Sequence, residues 1–74
     1  MKHNSQILLA STLGTIAFEQ GKKRISGLDQ ELNNMFINRQ IGVTPKGEAS
    51  SIEIMQAWYD AWDAANISKQ YANV

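Results

Sequence analysis

The chain has 74 residues, seven Lys+Arg, seven Asp+Glu and no cysteine, and 43% of it is hydrophobic. This excludes a disulfide-stapled mini-protein and a thiolate zinc finger, and argues against a domain that holds phosphates by bulk charge. The hydrophobic content argues against full disorder, and the length allows one small domain. A chain of this size buries only roughly 60% of its unfolded surface, so it depends on regular helix packing or on self-association.

The apolar stretch Ile7–Phe18 is broken by Ser11, Thr12, Gly14 and Thr15. It is too short and polar for a membrane span and poor as a signal peptide, so a cytoplasmic protein without a membrane segment is expected. It reads instead as an amphipathic helix over about residues 5–24. Leu9, Leu13 and Ile16 fall together, and Leu8 lies among the polar residues. Ala10, Gly14, Ala17 and Gly21 form a ridge without bulk, which lets another helix or a large aromatic approach closely. The alternative for Gly21 is that it ends the helix. Lys22, Lys23 and Arg24 then complement the helix dipole at the C-terminal end.

Ile25-Ser26-Gly27 is a break, after which Ser26 or Asp29 can cap the next helix. Leu28, Leu32, Met35 and Phe36 recur at helical spacing, with Ile37 and Ile41 widening the stripe and Gly42 as the terminating glycine. The second helix is expected over about 28–40. Thr44-Pro45-Lys46-Gly47 marks a loop. Ser50-Ser51-Ile52-Glu53 then reads as a capping box, opening a third helix over about 51–66. Ile54, Trp58, Tyr59, Trp62 and Ala65 share one side of it, and Glu53, Asp60 and Asp63 the other. Asn66 can end it, leaving 67–74 as a fraying tail. No segment alternates long enough for a strand. The expectation is an all-α domain of three helices.

No catalytic set, metal cluster or phosphate-binding loop is visible, and no cofactor is expected. The single histidine, His3, sits in what reads as a mobile terminus. Trp58 and Trp62 are one turn apart and read first as core. Tyr59, at the stripe's edge, suits a rim contact. The charges divide into a basic bend at Lys22, Lys23 and Arg24, with Arg39 elsewhere, and an acidic face on the third helix. A protein-binding module follows as the leading reading, with Tyr59, Asp60 and Asp63 as one contact patch and Lys22, Lys23 and Arg24 as a second. A homodimer is also open, since two opposite patches can pair across a two-fold axis.

Two motifs coincide: Gly14-Thr-Ile-Ala-Phe-Glu-Gln-Gly21-Lys-Lys-Arg24, and Trp58-x-x-x-Trp62 downstream. Together they resemble the small proteins related to ribosome modulation factor, whose relatives include phage proteins. The resemblance implies a helix–connector–helix in which the glycine-faced first helix packs on the tryptophan helix, through Gly14, Gly21, Trp58 and Trp62. With it goes the reading of a phage- or mobile-element-like protein that inhibits or modulates a larger host complex by occupying a surface. The family's ribosome-binding member is strongly basic and this chain is neutral. Ribosome or rRNA binding through Lys22, Lys23, Arg24 and Arg39 is therefore the alternative, because such contact rests on phosphate neutralisation.

Overall fold

The structure is a computed structural model that describes residues 2–37 and 43–72. Three α-helices, α1 (Lys2–Glu19), α2 (Gln30–Asn34) and α3 (Ser51–Ala72), are joined by a 3-10 turn at Ser26–Leu28 and by loops, and no strand occurs among the described residues. The domain is all-α, with α1 and α3 closely packed as expected.

The main pairing follows from the ridge of small residues. Ala10 and Ala17 are 0% and 1% exposed, and the Gly14 backbone lies directly on the carbonyl group of Trp58. A methyl group on Gly14 would run into that carbonyl oxygen and would stand 3.0 Å from its carbon. The bulkier stripe of α1 is displaced from this contact. Leu9 and Ile16 remain 47% and 40% exposed, because the helices approach where α1 has no side chains to hold them apart. Leu8 is exposed, as its place among polar residues implied.

The helix pair is parallel. Contacts climb both helices together, from His3 with Glu53, through Gly14 with Trp58, to Phe18 with Trp62. An 18-residue helix rises about 27 Å, so the chain must travel back that distance before α3 can begin. The described residues 20–37 and 43–50 lie on this return. From this segment Leu32 and Ala49 complete the buried core with Ile54 and Trp58, and Met35 and Phe36 pack on its edge. Full burial of a leucine such as Leu32 stabilises by about 1.5–3 kcal/mol.

Several helix limits differ from the sequence reading. Helix α1 starts at Lys2 and stops at Glu19, about five residues before its expected end. Gly21, at φ 76°, turns the chain into the left-handed region. Its N–H reaches the Phe18 carbonyl at 3.0 Å, while the Lys22 N–H reaches Ala17 at 2.9 Å. This is a Schellman termination. Gly21 ends the helix and has no close neighbour, so it takes no part in the packing ridge. Lys22, Lys23 and Arg24 consequently lie beyond the helix and do not occupy its last turn.

The second helix is also shorter than expected. Asp29 takes an extended conformation (φ −86°, ψ 106°) and caps α2, accepting from the N–H groups of Glu31 and Leu32. The 3-10 turn therefore stands apart from α2. After Asn34 the winding tightens, with Met35 and Phe36 donating to carbonyls three residues back. Ile37 faces solvent at 75% exposure and does not widen the buried stripe. Arg39, Ile41 and Gly42 lie outside the described residues.

Helix α3 begins at Ser51, as the capping box required. Glu53 N–H donates to Ser50 Oγ at 3.1 Å, and Ser50 N–H donates back to Glu53 Oε1 at 3.1 Å. It continues through Asn66 to Ala72, where a fraying tail was expected. No glycine or proline follows Ser51 to stop it. Lys69 sits over the Phe18 ring at 5.8 Å and complements the helix C-terminus.

Candidate binding surface

The bend after α1 is where the sequence-derived residues meet. Gly21 turns the chain back across α3, and Arg24 lands beside Asp63. The guanidinium is bidentate, with Nε to Oδ1 at 2.7 Å and Nη2 to Oδ2 at 2.8 Å. It also lies 4.6 Å from the centroid of the Tyr59 ring. The paired charges hold the Asp63 carboxyl below its ordinary value and raise Arg24 above its own. Tyr59 points its hydroxyl back into the bend, where Ser26 Oγ donates to it at 3.0 Å and Ser26 N–H at 3.3 Å. These two donors favour the phenolate and lower the Tyr59 pKa, Arg24 adding to the effect.

Trp58 and Asp29 fasten the bend from inside. The Trp58 indole is 1% exposed and donates to Asp29 Oδ2 at 2.7 Å. The other oxygen, Oδ1, accepts from the α2 amides of Glu31 and Leu32 at 3.0 and 3.3 Å. One buried carboxylate thus caps a helix and satisfies the core tryptophan. Trp62 packs edge-on against Phe18, with ring centroids 5.1 Å apart, and donates to the Lys22 carbonyl at 3.1 Å.

The six candidate residues therefore sort differently from their sequence grouping. Arg24, Tyr59 and Asp63 come together from both expected patches, and their polar groups bind one another and Ser26. Asp60 stays on the outer face of α3, accepting from Gln56 at 2.8 Å. Lys22 and Lys23 are exposed and have no ion-pair partner among the described residues. The basic bend and the acidic face are thus neutralised against each other at one point, leaving two lysines as the bend's unpaired cations.

Those lysines border an apolar hollow of about 310 Å³, also lined by Ile25, Leu28, Asp29 and Trp58. Leu28 is 70% and Ile25 46% exposed. A second hollow of about 330 Å³ shares Lys22 and Asp29 and is walled by Leu13 and Ile16 of α1. Sequence reasoning did not single out Ile25 and Leu28 as surface residues. Leu28 fits the helical stripe of Leu32 and Met35, and only the break at Asp29 turns it outward.

His3 lies in α1, not in a loose terminus. Its Nε2 is 2.8 Å from Glu53 Oε2 on an exposed surface. The Glu53 contact raises the His3 pKa. Glu53 is lowered to about 2, chiefly by the Ser50 backbone bond of the capping box and then by His3. Among the described residues no group of three or more His, Cys, Asp or Glu is placed to hold a metal ion. None of the described helices is long and apolar enough to cross a membrane. Compared with models of known protein families, with curated proteins and with solved structures, the chain matches none.

Proposed function

We propose that the chain is a non-enzymatic protein-binding module of the cytoplasm that inhibits or modulates a larger host complex by occupying one of its surfaces. Its phage- or mobile-element-like character rests on the resemblance of the glycine and tryptophan motifs. The observation that carries the reading is the bend, where two exposed aliphatic side chains line an apolar hollow bordered by two lysines that have no ion pair among the described residues. Arg24, Tyr59 and Asp63 serve it by fixing the bend's shape, and Asp60 lies on the neighbouring outer face. The test is affinity capture from bacterial lysate, comparing the natural chain with Leu28→Asp. A partner retained by the first and lost by the second is expected. Failure of the natural chain to retain any protein overturns the reading.

Lys22 and Lys23 also favour a second reading, ribosome or rRNA binding. Co-sedimentation with ribosomes that falls steeply with salt would support it. The homodimer reading is decided by light scattering on the eluting protein.

A further inference from the structure

We infer that the occupant of the bend hollow is an acidic, apolar segment of the partner protein. One large aliphatic or aromatic side chain enters between Ile25 and Leu28, and a neighbouring carboxylate pairs with Lys22 or Lys23. The inference rests on the binding-module reading and names the chemistry of its partner.

Charge complementarity carries the argument. Of the three cations at the bend, Arg24 is bound on both arms by Asp63. Lys22 and Lys23 have no such anion among the described residues, although both border the hollow. The carboxylate in the wall, Asp29, is 5% exposed and already accepts from two backbone amides and the indole. It is committed inward, which leaves Lys22 and Lys23 as cations bordering the hollow that can receive an incoming carboxylate. The hollow itself is apolar where it is open, at Leu28 and Ile25.

Its size accommodates one large side chain. About 310 Å³ lies at the lower end of small-molecule sites, which run from about 300 to 1,000 Å³. Base stacking is disfavoured on the same surface. Base stacking needs open aromatic faces, and Trp58, the one aromatic of the hollow, is 1% exposed.

The experiment pans a yeast-displayed library of random peptides against the immobilised full chain, and in parallel against a Lys22→Glu/Lys23→Glu variant. Peptides with Asp or Glu beside Leu, Met or Phe are expected to be enriched on the natural chain and lost on the variant. An enriched peptide is then titrated into the labelled protein and read by amide shifts. Shifts are expected at residues 22–29, with affinity falling about two- to fivefold for each carboxylate replaced by its amide, the range of exposed ion pairs. Circular dichroism checks that the variant is folded, and the exposed lysines make that the expected result. Absence of acidic enrichment, equal selection by the variant, or shifts mapping elsewhere overturns the inference. So does oligouridylate moving the same amides more strongly than the peptide. A Leu28-dependent partner from lysate with no acidic preference in the library would leave the binding-module reading standing and remove this inference alone.

Discussion

At Gly14, the absence of a side chain is the structural requirement. Alanine at a helical glycine normally gains about 1 kcal/mol of helix propensity. Here its methyl group would meet the Trp58 carbonyl, which belongs to the backbone of α3 and cannot rotate away. Overpacking of this kind costs about 1–3 kcal/mol, with rigid backbone at the upper end. Gly14→Ala is therefore expected to destabilise the fold by about 1–2 kcal/mol net, lowering the urea midpoint. An unchanged or raised midpoint would mean that the helices do not approach there. The need for a small residue was legible in the spacing of Ala10, Gly14 and Ala17, because spacing determines which residues share a face. Gly21 belongs to the same spacing, yet its role is conformational. Periodicity alone does not distinguish a glycine that admits a neighbour from one that adopts a positive φ.

Among the elements, α3 shows what local chemistry can and cannot specify. Its start was readable because the Ser50–Glu53 capping box lies within four residues. Its end was not, since Asn66 is only a permissive terminator and the final turns pack through Lys69 on Phe18 of another helix. The start also has a partner that no local signal shows: His3 of α1, bonded to Glu53. The capping box and this contact together have a pH signature, the Ser50 backbone bond being the larger cause at Glu53. Glu53 moves from 4.5 to about 2 on folding, so its contribution is complete above about pH 4.5 and is lost as pH falls toward 2. His3 is raised from 6.5, so its contribution is complete below about pH 6.5 and is lost as pH rises through the folded value. Both are present between those limits. His3→Gln is expected to lower the denaturation midpoint at about pH 5.5 and to have a smaller effect at about pH 8.5. An equal effect at the two values would show that the charge of His3 is not what matters. The pair is exposed, so the change will be small and weakened by salt.

For the whole molecule, the decisive fact is that α1 and α3 run parallel. That makes the segment between them a return as well as a connector, and the Asp29–Trp58 bond is one of the fastenings of its described part. Asp29→Ala removes a helix cap, which costs about 0.5–2 kcal/mol, and leaves a buried indole N–H without its acceptor, about 1–3 kcal/mol more. A loss of about 2–4 kcal/mol is expected in chemical denaturation, with a shift in tryptophan emission as the return segment loosens. A loss below about 1 kcal/mol would place the fastening elsewhere. The sequence by itself determined the all-α class, the start of α3, the packing of α1 on the tryptophan helix and the balance of seven charges against seven. Each depends on spacing along one helix, on a local hydrogen-bond pattern, or on a sum over residues. Tertiary structure decided which charges remain available. Zero net charge is compatible with two separate patches or with patches that meet. Only the turn at Gly21 brings Arg24 across to Asp63, 39 positions away, and leaves Lys22 and Lys23 unpaired beside Leu28. Pairing at that separation depends on the path of the chain through space, which neither periodicity nor composition encodes.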